Sequence, residues 1–291
     1  MIVSFHYRVR HSLVEKLDPR ARWFFSLLAL FAIVQFWDVR FLLFFLALGL
    51  GQFFVARLTW RETRRAWSFI FVIITVMVVV NTILTSAGTV AGVFTGGHPV
   101  LQLQTRLPLF GWQINFVLTA ERLWFALSQY VRVISISAMF IVLPFTMDPR
   151  SYGATFRGMG LEDRLALSVD LAFRFVPTLA RDFSVTLDAQ RARGYEVERL
   201  KGGIIAQIRR MAPLLVPVTM NAILSGEDIT NAMDLRCFGL RKRTWVQSLT
   251  YHWFDYAWIG FGVFLFVGSL ALRLIFQIGN FWLPPWFIPG S

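Results

Sequence analysis

The sequence predicts an all-α, polytopic helical membrane protein, with about five (four to six) transmembrane helices plus long cytoplasmic helices. Three observations predict it. The 291 residues are 56% hydrophobic and only 16% charged, whereas about a quarter of a soluble domain is charged; mean hydropathy is +0.57. The charges are clustered, which leaves apolar runs close to span length between them. The 29 Lys and Arg residues also fall almost wholly on one side of the topology that those runs imply.

The N-terminal 22 residues carry Arg8, Arg10, Lys16, Arg20 and Arg22 before any apolar run, which is not the pattern of a cleavable signal. Asp18-Pro19 reads as a helix start, with Asp18 as the cap and Pro19 at the first helical position. Apolar runs at 23–37 and 41–56 follow, broken by Asp38-Val39-Arg40. Each is near the lower limit of roughly 17 residues for a span, and together they predict a tight helical hairpin or one long re-entrant pair. The arginine-rich stretch 57–65 predicts a water-facing loop, and 66–86 a third span. Segment 87–111, rich in Gly, Thr and Pro, predicts an extracytoplasmic loop with a short hairpin around Gly96-Gly97-His98-Pro99. A fourth span is expected from Thr119 to Pro144 and carries Glu121, Arg122 and Arg132. These read as an Arg–Glu pair near the outer interface and one arginine buried against a neighbouring helix, because an isolated charge at the bilayer centre costs several kcal/mol, very roughly. A last span is expected from Trp253 to Ile278, followed by an aromatic tail, 281–288, suited to the interface. The regions are therefore an N-terminal transmembrane part (1–145), a cytoplasmic insert (146–250) and a C-terminal helix with tail (251–291).

Charge placement orients the chain. With the N-terminus cytoplasmic, the inner side holds five Lys/Arg in 1–22, four in 57–65 and fifteen in 146–245, against Arg40 and Arg106 outside. The long insert counts for little in such a rule, and the short segments alone still give the same orientation. The net charge of +12 thus reports topology and not nucleic-acid binding. One cysteine, Cys237, excludes an internal disulfide, and no Cys/His cluster suggests a metal site. No cofactor is expected.

The insert is helical in pattern. Leu165, Val169, Ala172, Val176, Leu179, Phe183 and Leu187 step by three or four and form one apolar stripe. Pro177 is expected to kink or divide this helix, and it stops at Ala192-Arg193-Gly194. A second helix begins at Ile204, is expected to bend or split at Pro213 and Pro217, and runs through Leu235-Arg236-Cys237 to a stop at Gly239. An arginine in a last helical turn has a plain explanation, since cations are favoured there by a few tenths of a kcal/mol, roughly. That explanation does not require the same neighbours twice. Aligned on Arg193 and Arg236, both segments have an alanine four residues earlier (Ala189, Ala232) and an aromatic two residues later (Tyr195, Phe238). A guanidinium offers a planar fork that pairs bidentately with carboxylates, so two such ends suit two grooves on a dimeric partner.

With Asp18-Pro19-Arg20, Thr146-Met147-Asp148-Pro149 and Arg174-Phe175-Val176-Pro177 in this order before Ala192-Arg193-Gly194, the chain resembles the transmembrane T component of energy-coupling factor (ECF) transporters, the EcfT/CbiQ family. That family carries two Ala-Arg-Gly motifs on cytoplasmic coupling helices. Here the second departs from the pattern as Leu235-Arg236-Cys237. The resemblance implies a non-catalytic subunit of the bacterial or archaeal plasma membrane. It would bind two ABC ATPase subunits through Ala192, Arg193, Gly194, Leu235, Arg236 and Cys237, and pass their ATP-driven motion to a membrane S component that takes up a vitamin or metal ion. The sequence has no Gly-x-x-x-x-Gly-Lys-Ser/Thr phosphate loop of its own. Two other classes remain open from the residues alone. One is an integral membrane enzyme for lipid or isoprenoid phosphates, using Asp148, Asp163, Asp170, Asp182 or Asp188. The other is a secondary transporter, using Glu121, Arg122 and Arg132.

Overall fold

The computed structural model describes residues 10, 12–86, 99–106, 113–195, 204–240, 249–277, 279, 282 and 284. Their elements are α1 (Leu13–Lys16), α2 (Pro19–Val34), α3 (Val39–Val55), α4 (Trp60–Ser86), β1 (Pro99–Arg106), β2 (Gln113–Thr119), α5 (Ala120–Thr146), a 3-10 turn (Pro149–Ser151), α6 (Tyr152–Gly158), α7 (Asp163–Ala192), α8 (Ile204–Leu235) and α9 (Trp253–Ile275). They fall into two compact units: 148–249 is one, and 6–147 with 250–291 is the other.

The larger unit is a helical membrane body. Three of its helices are long and apolar enough to cross a bilayer: 60–81 of α4, 122–146 of α5, and α9. At 1.5 Å per residue, α2 and α3 span only about 24 and 26 Å. The break between them forms as the sequence predicts, because Asp18 and Asp38 both cap. Each side chain accepts the backbone N–H two residues on, at Arg20 (2.8 Å) and Arg40 (3.0 Å). α3 packs along α5, and α2 along α9. Small residues set the closest approach, as they do between helices in lipid. A Cβ on Gly49 would stand 3.1 Å from the Ala138 Cβ, whereas Gly51 on the same helix has nothing within 4 Å. Ala29, Ala32, Ile33 and Phe36 of the α2 region meet Leu42, Phe45 and Met139 in one buried cluster. The outward residues, such as Phe54, Phe69, Val72 and Phe264, are exposed apolar side chains suited to acyl chains.

Several boundaries differ from expectation. Most of 57–65 is helix, not loop, since α4 starts at Trp60. Arg61, Arg64 and Arg65 are good helix formers, and Glu62 sits in the first turn, where the helix dipole favours an anion. α5 runs past Pro144 to Thr146, because a proline near a helix end forfeits one bond without ending the turn. α9 stops at Ile275. The hairpin is also displaced. Pro99 opens β1, and the strands pair antiparallel from Leu101 opposite Leu118 to Arg106 opposite Gln113. Alternating polar and apolar residues at 101–104 and 113–116 fit the two-residue period of strands. Gly96 to His98, and all of the 281–288 tail except Trp282 and Pro284, lie outside the described residues. The Arg40 guanidinium lies 3.3 Å from the centre of the Trp282 ring.

In the smaller unit, Asp148 caps the 3-10 turn by accepting the Arg150 N–H (3.0 Å), and Tyr152 stacks on Phe173, 4.8 Å between ring centres. α7 and α8 are each continuous through their prolines. Pro217 has no N–H to give to the Pro213 carbonyl one turn back. The Gln190 side chain from α7 supplies a donor to that carbonyl instead, at 3.5 Å. Asn221 reaches Asp182 at 3.4 Å. Going from Gln190 back to Asp182 on α7 corresponds to going forward from 213 to 221 on α8, so the two helices run antiparallel. The predicted stripe on α7 forms and is only partly covered by the described residues: Leu165 is 53% exposed, Val176 and Leu179 are also exposed, and Val169, Phe183 and Leu187 are half-buried. Burial pushes the Asp170 carboxyl up from its ordinary range, and Arg174 pulls it partly back.

The packing argument makes a paired expectation. Gly49→Ile should destabilise the detergent-solubilised protein by about 1–3 kcal/mol by forcing α3 from α5, while Gly51→Ile should leave the thermal midpoint unchanged. Equal shifts in the two variants would contradict the close approach at Gly49.

Candidate functional site

Both arginine segments are helix ends, and the backbone builds them in the same way. At the end of α7, Arg193 is the cap residue. The Gly194 N–H donates to the Arg191 carbonyl (2.9 Å), and the Tyr195 N–H reaches back to Gln190 (3.0 Å). At the end of α8, the Cys237 N–H donates to Asp234 (2.9 Å) and the Phe238 N–H to Met233 (3.0 Å). This pair of reverse bonds is the Schellman turn, which needs a left-handed residue just past the cap. Gly194 takes it at φ +85° and Cys237 at φ +55°. α8 therefore stops at Cys237, two residues before Gly239. What sequence spacing presented as a degraded motif is the same turn with a cysteine in the glycine's place. The aromatic common to both segments, Tyr195 or Phe238, is the residue whose N–H closes the turn.

The turn has a chemical consequence. It satisfies the last helical carbonyls with backbone donors, so neither arginine is needed to cap its own helix. The Arg193 and Arg236 side chains are exposed, and neither forms an ion pair with a described residue. Leu235, beside Arg236, is 87% exposed. Arg191, by contrast, is paired with Asp188 at 3.5 Å. From the antiparallel register, Arg193 and Arg236 lie toward opposite ends of the α7–α8 pair, on the order of 40 Å apart along the helix axes. The pair therefore presents two separate, similarly built cationic ends.

Several residues of the other two readings hold structural positions. Asp148 is a cap, Asp163 pairs with Arg157, Asp182 accepts from Asn221, and Asp188 holds Arg191. Among the described residues no three His, Cys, Asp or Glu side chains are grouped for a metal ion. Arg132 is buried, donates to the Phe36 carbonyl at the end of α2, and lies 3.8 Å from the centre of the Trp37 ring. It is buried against a neighbouring helix, as the sequence suggested. The Glu121 side chain is outside the described ones. Sequence reasoning counted Arg10 and Arg22 only as positive charges. They are in fact bound to helix-end carbonyls at Phe145 and Thr146, a role with no local sequence signal.

Comparison with known proteins bears on the whole arrangement. The sequence model of the CbiQ family, described as cobalt transport protein, matches residues 10–246. The energy-coupling factor transporter transmembrane protein EcfT of Thermanaerovibrio acidaminovorans is 27% identical over 86% of this chain and 87% of its own length. That of Ruminiclostridium cellulolyticum is 22% identical over 91% and 95%. A putative ABC transporter ATP-binding protein of Bifidobacterium longum is 26% identical over 82% of this chain, which spans 29% of that longer protein.

A left-handed cysteine is strained relative to glycine by roughly 1 kcal/mol. Cys237→Gly should therefore slow hydrogen exchange of the 237 and 238 amides, and Cys237→Val should speed it. Unchanged exchange in both variants would contradict the strained cap.

Proposed function

Since the chain belongs to the CbiQ family of cobalt transport proteins, we infer that it is the transmembrane T component of an energy-coupling factor transporter. It is a transport subunit whose partners include ABC ATPases, and the enzyme and secondary-transporter readings are not favoured. The observation that carries the finer reading is the repeated helix end: two exposed arginines, each on a Schellman turn, at opposite ends of an antiparallel pair.

In this reading two ATPase subunits each receive one arginine. The guanidinium fork enters an acidic groove and makes bidentate, charge-assisted bonds. Small residues at Ala192, Gly194 and Cys237 let the helix end come close, while Leu235 adds apolar contact at the second. ATP-driven closing of the ATPases moves the two ends relative to each other, and α7 and α8 carry that motion. The cargo is captured by a separate membrane S component, seated on the apolar surface that the smaller unit leaves open. That surface includes Val176 and Leu179 on α7 and Val216, Met220, Ile223 and Leu224 on α8, all exposed. Contiguous apolar exposure of this kind marks a partner or lipid contact. The chain itself holds no catalytic role: ATP chemistry belongs to the ATPases and cargo choice to the S component. In this reading the N-terminus and the 148–249 unit are cytoplasmic, which the Lys/Arg distribution supports, and the helices span the plasma membrane of a bacterium or archaeon. A relative named as an ATP-binding protein, in which a region like this chain occupies 29% of the length, supports the ATPase partnership.

Two tethers hold more tightly together than either does alone. Arg193→Ala or Arg236→Ala alone should therefore lower ATPase retention during affinity purification, and the double variant should abolish it while membrane insertion is unchanged. Retention of the ATPases by the double variant would refute the docking role.

A further inference from the structure

The chain passes between its two units twice, after Met147 and after Leu249. Both passages are gripped within the larger unit by one short N-terminal stretch. At the first, Arg10 donates to the Phe145 carbonyl (2.8 Å) and Arg22 to the Thr146 carbonyl (3.0 Å) and hydroxyl (3.1 Å). These are the last carbonyls of α5, where the helix dipole is negative and backbone acceptors lack helical donors. At the second, Asp255 in the first turn of α9 accepts the Asp18 N–H (2.7 Å) and the His252 N–H (2.7 Å). Arg20, paired with Asp18 at 2.9 Å, lies 4.0 Å from the centre of the Tyr251 ring.

A cation present only to orient the chain would sit in water. Arg22 is 3% exposed and Asp255 1%, and groups of this kind are buried only where specific bonds offset their desolvation. Arg10 is further tied to Glu62 at the start of α4, at 2.8 Å. The start of α2 is therefore bonded to the end of α5 and the start of α9 together.

We propose that this stretch is a clamp that fixes both passages, so that motion of α7 and α8 reaches α5 and α9 rather than being lost at the joints. Arg22 and Tyr251 are positioning residues in it: neither contacts a ligand, and each acts through the helix end it holds. The proposal rests on the T-component reading, because it needs a motion to transmit.

The test uses the full chain in complex with the ABC ATPases that co-purify with it. Hydrogen exchange is measured with and without a non-hydrolysable ATP analogue. In the wild-type complex the analogue should alter exchange both in 148–249 and in 139–147 and 250–262. In Arg22→Met, the nucleotide-dependent change in 139–147 should fall by about tenfold, within the range of a single coupling interaction, while that in 148–249 persists. Arg22→Lys should restore part of it. Tyr251→Ala, at a half-buried position with less risk to folding, should give the same loss in 250–262. Exchange without nucleotide reports folding separately, so a merely structural role would move that baseline and leave the nucleotide-dependent difference intact. Variants that transmit the change as the wild type does would overturn the clamp. A wild-type chain that retains no ATPase, or shows no nucleotide response in 148–249, would overturn the T-component reading beneath it.

Discussion

Helix ends are the constraint on which this structure depends. A helix leaves four N–H and four C=O groups unpaired at its ends, and within or beside a bilayer water is not a reliable partner. The chain meets this need in three ways. Aspartates 18, 38 and 148 cap helix starts by accepting the N–H two residues on. Arginines 10, 22 and 132 come from elsewhere in the chain to carbonyls at or just past helix ends. At α7 and α8 the backbone folds back and satisfies itself. The third solution differs in its consequence, because it leaves the local arginine unused. Arg10, Arg22 and Arg132 of the membrane unit are taken up in holding helix ends, whereas Arg193 and Arg236 are exposed and form no ion pair with a described residue.

This division explains why much of the fold could be read from the chain and why some could not. Asp18-Pro19 and Asp38 announce helix starts through local chemistry, and the structure places the starts there. The same holds for Gly194, the residue type that tolerates a left-handed cap. Cys237 carries no such signal, so the second helix end was placed two residues late, at the next glycine. Prolines 177, 213 and 217 lie inside continuous helices, so none of them divides its helix. The cost of Pro217 is offset by Gln190, a residue on another helix that no local rule could find. Arg61, Arg64 and Arg65 looked like a loop because charge was weighed above helix propensity. The carbonyls that Arg10 and Arg22 bind are more than a hundred residues away, beyond any periodicity.

Function was legible to a different depth. Recurrence of an arginine with matched neighbours marked the two segments, and the structure builds both as the same backbone turn. The open stripes on α7 and α8 fit a subunit made to be covered by others, since a free-standing domain would bury them. The chain belongs to the CbiQ family, and relatives over most of its length are named as transporter transmembrane proteins.

The most direct measurement is photo-crosslinking in the intact complex, with a photoreactive residue placed in turn at Ala192 and at Leu235, beside each arginine. The account predicts adducts with an ABC ATPase subunit from both positions. Adducts with only a membrane partner or lipid, from either position, would contradict it.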